Sequence, residues 1–152
     1  MKNKYFSHIS IFVFCLLFSS GCSFISVSLV PSVEPLRETT VSGSGKDKIL
    51  IIDISGIISE ERKRGLAGLS DEPDMVARIK EELETAAKDK YLKAIILRIN
   101  SPGGTVTASD MIYHEIEQFK ENTHIKIIAC IMDLGASGGY YVAVSADKII
   151  AH

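Results

Sequence analysis

Residues 92–116, LKAIILRINSPGGTVTASDMIYHEI, pass from an apolar run through a glycine-containing turn into an amphipathic stretch, and that succession decides the fold. Leu92–Ile99 is a near-continuous Ile/Leu run, the pattern of a strand buried on both faces. Asn100, Ser101, Pro102, Gly103, Gly104 and Thr105 form the turn. From Thr107 to Lys120, Ala108, Ile112, Ile116 and Phe119 recur at helical spacing, with Asp110, Glu115 and Glu117 mostly on the opposite face.

The same order repeats on either side. Lys48–Ser55 (KILIIDIS) and Ile125–Met132 (IKIIACIM) are further strand runs, and Lys148–Ala151 begins a fourth. Between the first two strands Met75, Val76, Ile79, Leu83 and Ala86 mark an amphipathic helix, with Ser70 and Asp71 as cap candidates and Pro73 in its opening turn. The alternation predicts an α/β layer fold with parallel strands. Ser59–Pro73 (SEERKRGLAGLSDEP) is a long polar connection, expected to be a surface loop or flap. No internal repeat is present.

The 152 residues, 46% hydrophobic and 24% charged, have the profile of one globular domain. Nineteen acids against seventeen bases give a net charge of −2, and no Lys/Arg run could neutralise a row of phosphates, so nucleic acid is not the expected partner. Cys15, Cys22 and Cys130 are too few and too scattered for a disulfide framework or a thiolate zinc site, and no metal or other cofactor is expected.

Lys2 and Lys4, the apolar run Ile11–Phe18 and the small residues Ser19, Ser20 and Gly21 have the three-part layout of a secretory signal over residues 1–21. The apolar run is far shorter than the ~20 residues of a membrane-spanning helix. Ser-Ser-Gly-Cys22 resembles the lipobox of bacterial lipoproteins, with Ser19 where leucine is usual. That resemblance implies an acylated Cys22 as the mature amino terminus, in an exported lipoprotein anchored in the bacterial cell envelope. An ordinary secretory peptide with an incidental Cys22 is the alternative. Residues 1–21 hold two lysines and no acid, so their removal takes the charge from −2 to −4, and attachment would rest on acyl chains. Residues 22–45, rich in Ser, Thr, Pro and Gly, read as a tether. Fully stretched it reaches at most roughly 75 Å. The globular domain is expected over 46–152.

The turn at 100–105 has three readings: a plain strand-to-helix connection, a phosphate cradle, or an oxyanion hole made of backbone N–H groups. Neither G-x-G-x-x-G nor the Gly-Lys-Ser/Thr ending of a P-loop is present, which leaves nucleotides little support. A second glycine turn, Gly135-Ala136-Ser137-Gly138-Gly139-Tyr140-Tyr141, follows the third strand and opens a short helix expected to run to about Ala146. A serine at such a helix start can attack a carbonyl while the next N–H faces the developing oxyanion. Gly135 to Gly139 also fits G-x-S-x-G, the α/β-hydrolase elbow. The acid and histidine of that family follow its serine, however, and only Asp147 and His152 remain here, too near to fold back as a triad. His114 and His124 flank a helix end, where a solvated or capping imidazole is expected.

Taken together, Asn-Ser-Pro-Gly-Gly after one strand and Ala-Ser-Gly-Gly-Tyr-Tyr, followed by an Ala-Asp-Lys-Ile strand, resemble the signal peptide peptidase A family of serine peptidases. The likeness covers about residues 47–152. It implies a Clp/crotonase-like α/β fold of repeated β-β-α/β-α units, here ending before the fold is complete, with exposed sheet edges and marginal stability. It implies Ser137 as nucleophile, Gly103 or Gly104 together with Gly138 as oxyanion donors, and a lysine as general base. It also implies apolar signal-peptide remnants as substrates, a membrane partner and a ring-like homo-oligomer.

The family's lysine lies some tens of residues beyond its serine, after a Gly-Ser-Ile-Gly stretch. None of Lys46, Lys48, Lys80, Lys88, Lys90, Lys93, Lys120, Lys126 or Lys148 matches it. The chain is therefore expected to be either a fragment of a longer peptidase or a short inactive product. Other readings of the same residues are the related membrane-bound peptidase branch encoded with NfeD-type partners, a noncatalytic peptide-binding or scaffold lipoprotein, and a crotonase-type acyl-CoA enzyme. Ser137 between glycines argues against the last, because acyl-CoA chemistry requires no serine there.

Overall fold

The computed structural model describes residues 36–61, 63–64, 71–72 and 74–151. Four strands form one parallel sheet: β1 (Lys48–Ile58), β4 (Leu92–Gly104), β5 (Lys126–Gly135) and β6 (Lys148–Ala151), in the spatial order β1-β4-β5-β6. Helices α1 (Met75–Ala86), α2 (Val106–Thr123) and α3 (Gly138–Val144) connect them in turn. This is the β-α-β-α-β-α-β order that the apolar runs predict. Within the polar connection, Lys63–Arg64 (β2) and Asp71–Glu72 (β3) pair antiparallel, so part of the expected loop is a small ribbon.

Each helix forms for a local reason. Asp74, not Ser70 or Asp71, caps α1, with Oδ1 accepting from Ala77 N at 2.8 Å. Asp71 instead belongs to β3, and Ser70 and Pro73 lie outside the described residues. Thr105 caps α2 by accepting from Ala108 N. That helix closes at His124, whose left-handed φ of 58° lets its N–H bond to Lys120 O. The buried sides of α1 (Val76, Ile79, Leu83, Ala86) and α2 (Ala108, Ile112, Ile116, Phe119) are those the spacing marks. They pack with Ile52, Ile54, Ile95, Leu97, Ile99, Ile127 and Ala129 into one core.

The apolar strand runs do not all bury both faces. Ile49, Ile51, Met132 and Ile150 alternate with the core positions of β1, β5 and β6, and all four are exposed. Asp53 and Arg98 face each other across β1 and β4 and form a two-pronged ion pair on that outer face, Arg98 Nη2 to Asp53 Oδ2 at 2.6 Å. The strands also run further than the apolar runs suggest. β1 extends to Ile58, β4 through the glycine pair to Gly104, and β5 to Gly135, which carries the sheet into the site.

Among the described residues, no helix is long and apolar enough to cross a membrane.

Candidate active site

Ser137 stands just past the carboxyl end of β5, at the N-cap of α3, and is exposed. A serine at an N-cap ordinarily spends its hydroxyl on an amide of the first turn. Here the side chain makes no capping hydrogen bond, which leaves Oγ free for other chemistry. The backbone is strained, with φ 48° and ψ −121° on a non-glycine residue. Such a conformation costs on the order of 1–3 kcal/mol and persists only where neighbours over-determine it. Three backbone bonds do so: Ala136 N to Ser101 O at 3.1 Å, Gly139 N to Ala136 O at 2.9 Å, and Tyr141 N to Ser137 O at 2.9 Å.

The glycine pair of β4 lies against this loop. Gly103 has φ 98°, and a Cβ built on it would stand 2.6 Å from Gly138 N and 2.8 Å from Ser137 Cβ, so only glycine fits. Its own N–H donates to Ser101 Oγ at 3.0 Å, which turns that amide away from Ser137. Thr105 N–H donates to Ile58 O at 2.9 Å, on the β1 side. Gly104 N lies 3.3 Å from where a Gly138 Cβ would sit. Gly138 N–H opens α3, where no intrahelical acceptor exists, and meets no backbone acceptor among the described residues. Of the three amides the sequence nominates, Gly103 N–H is taken up by Ser101 Oγ, while Gly104 N and Gly138 lie close together beside Ser137.

Helix α2 backs the site. Ser109 is buried, and a Cβ on Gly138 would collide with its hydroxyl, which itself donates to Thr105 O at 2.8 Å. One turn of α3 beyond Ser137, Tyr141 donates its hydroxyl to Asp110 Oδ1 at 2.8 Å and stacks on Tyr113 with ring centroids 4.9 Å apart. The Asp110 carboxylate, by accepting that bond, raises the Tyr141 phenol above its ordinary value. His114 Nε2 lies 3.6 Å from the same Asp110 oxygen on the outside of α2, and its side chain is largely exposed.

Among the described residues, the ion-paired lysines stand elsewhere. Lys48, Lys93, Lys126 and Lys148 are at or beside the amino ends of the four parallel strands, the opposite edge from Ser137. Lys48 pairs with Glu38 and Asp89, Lys93 with Asp47, Lys120 with Glu117, Lys126 with Asp147, and Lys80 with Glu115. Among these pairs none brings an amine to Ser137. Cys22 lies outside the described residues.

Residues 47–150 match the family described as Clp protease. The chain belongs to the Clp protease family. The chain also resembles proteins named SPPA, signal peptide peptidase SppA and Protease 4. It is 37% identical over 107 residues to the chloroplastic serine protease SPPA of Arabidopsis thaliana, across 70% of this chain and 15% of that one. It is 32% identical over 120 residues to a putative signal peptide peptidase SppA of Enterococcus faecium, across 79% of this chain and 34% of that one. It is 38% identical over 109 residues to Protease 4 of Haemophilus influenzae, across 69% and 16%. The likeness that the two glycine motifs carry is thus shown, while the chain spans only about one seventh to one third of the length of these relatives. A solved membrane-bound stomatin-specific protease shares the fold, with a TM-score of 0.52 at 22% identity over 71% of this chain and 45% of that one.

Two features escape a reading of the sequence alone. Ser101 reads locally as part of the turn, yet in the fold it falls in phase with Ile95, Leu97 and Ile99 on the core face of β4, an alternation that is the one signal for it. The Asp110–Tyr141 bond joins residues thirty-one apart and has no local signature.

Proposed function

We propose that this chain carries the nucleophile and oxyanion hole of a serine endopeptidase of the signal peptide peptidase A type, acting on apolar peptides such as signal-peptide remnants at a membrane. The observation that carries the reading is Ser137, exposed and uncapped in a strained loop, beside Gly104 N and a Gly138 N–H that meets no acceptor among the described residues. In this reading Ser137 Oγ forms a bond to the scissile carbonyl carbon as its proton passes to a base, and the two amides hold the resulting oxyanion. Collapse breaks the C–N bond, the base returns the proton to the leaving amine, and water then hydrolyses the acyl-serine. The base is a neutral lysine outside the described residues, on a further segment or another subunit of a homo-oligomer. Acylated Cys22 holds the exported protein at the envelope membrane.

The test is turnover of a quenched apolar peptide by protein purified from its own membranes. Hydrolysis by the natural protein and none by Ser137→Ala supports the reading, and equal hydrolysis by both contradicts it. A second reading is favoured by the absence of a lysine contact at Ser137 among the described residues: a noncatalytic, peptide-binding lipoprotein of the same fold. Saturable peptide binding without hydrolysis at any pH supports that alternative.

A further inference from the structure

We infer that Ser101 is a positioning residue for the oxyanion-binding amides, fastening the Gly103–Gly104 segment to β1 and to the Ser137 loop at once. The inference rests on the peptidase reading of Ser137. Ser101 is fully buried on the core face of β4, a setting where a hydroxyl is ordinarily retained with its donor and its acceptor both used. Both are used here. Ser101 Oγ donates to Gly56 O at 2.6 Å and accepts from Gly103 N at 3.0 Å, while Ser101 O accepts from Ala136 N at 3.1 Å.

These bonds stand where regular strand pairing fails. The β1–β4 register shifts between Ser55 and Ile57, and the β4–β5 register shifts between Ile99 and Ser101. At the first shift Gly56 takes φ 81°, outside the regular ladder, and the serine hydroxyl supplies a donor to its carbonyl. The bond to Gly103 N fixes which amide of the glycine pair is consumed. With Gly103 N–H held by Ser101 Oγ, Gly104 N comes within 3.3 Å of where a Gly138 Cβ would sit. Freed of Ser101 Oγ, the left-handed Gly103 can rotate, and Gly104 N–H rotates with it. The Ala136 bond then sets the Ser137 loop at a fixed height above the same residue. A Cβ on Gly139 would stand 2.9 Å from Ser101 O, so the approach of α3 is close as well as hydrogen-bonded.

The experiment compares the natural protein with Ser101→Ala, Ser101→Cys and Ser137→Ala, each purified from its own membranes. Two quantities are read: kcat and KM on the apolar peptide, and hydrogen exchange at the Gly103 amide. A positioning role predicts that Ser101→Ala lowers kcat by roughly 10- to 100-fold. KM stays within about twofold, as expected when ground-state binding is untouched. The Gly103 amide loses its protection while the midpoint of thermal unfolding stays close to the natural value. Ser101→Cys, which keeps a side chain of similar shape with a weak donor and acceptor, recovers part of both losses, and it stands in for the alanine variant should that one fail to fold. A folded Ser101→Ala with unchanged kcat and unchanged Gly103 exchange overturns the inference. If Ser137→Ala retains turnover, or the natural protein has none, the peptidase reading fails separately, and Gly103 exchange alone decides whether Ser101 holds the turn.

Discussion

A Cβ built on Gly103 would stand 2.8 Å from Ser137 Cβ, so the end of β4 and the loop after β5 lie against each other with no room for a side chain between them. Gly103→Ala is strained twice, by its φ of 98° and by the collision with Ser137 and Gly138 N. We expect a loss of more than about 1 kcal/mol of stability, since alanine at a positive φ costs more than its entropic gain returns. Urea unfolding measures it directly, and an alanine variant as stable as the natural chain would show that the two segments are not in contact.

Gly138 meets a different obstacle, the Ser109 hydroxyl, which is the end of a side chain and can be removed. Gly138→Ala should destabilise the fold by about 1–3 kcal/mol through overpacking. In a Ser109→Ala background the cost should fall by at least about 0.5 kcal/mol, the signature of residues in contact. The double-mutant cycle, run by thermal or denaturant unfolding, reads that coupling, and strict additivity would refute the packing of α3 on α2.

Tyr141 ties α3 to α2 through Asp110. The carboxylate that accepts its hydroxyl favours the protonated phenol, so Tyr141 should titrate above the ordinary tyrosine value of about 10. Asp110→Asn removes the charge and should bring that titration down, as followed by tyrosinate absorbance. No change between the two proteins would mean that the bond is not formed in solution.

Asp147 joins β5 to the start of β6. Its carboxylate accepts from Ile127 N at 2.8 Å and from Lys126 Nζ at 3.0 Å, and these hold its pKa below the ordinary aspartate value. A depressed carboxylate contributes stability that is fully present above the unfolded-state value of about 3.9 and is lost as the pH falls through the lower native value. Asp147→Asn should therefore be less stable near neutrality and show a shallower loss of stability below pH ~4. Thermal unfolding across the acid range checks this, and identical pH profiles for the two proteins would contradict it.

The alternation of apolar runs and amphipathic stretches was enough to place every major strand and helix, because burial of one helix face and one sheet face leaves a period in the sequence. The strand ends were not legible, since β4 runs through Pro102, Gly103 and Gly104, residues that by local propensity read as a turn. Pairing with Ile57 and Ile58 of β1 overrides that propensity. The exposure of Ile49, Ile51 and Ile150 was equally hidden, because an apolar run does not state which of its faces is covered. Ser137 and the glycines stood out because a small-residue cluster after a strand has few structural uses. Which glycine amide remains free depends on the Ser101 hydroxyl, and a hydrogen bond made by a single side chain leaves no period to detect.

The central claim is that Ser137 is a nucleophile. It is tested most directly by treating the natural full-length protein with an activated fluorophosphonate and mapping the adduct by peptide mass. The account predicts one phosphonyl group, on the peptide containing Ser137, and no labelling of Ser137→Ala. An adduct on another residue, or equal labelling of both proteins, would contradict it.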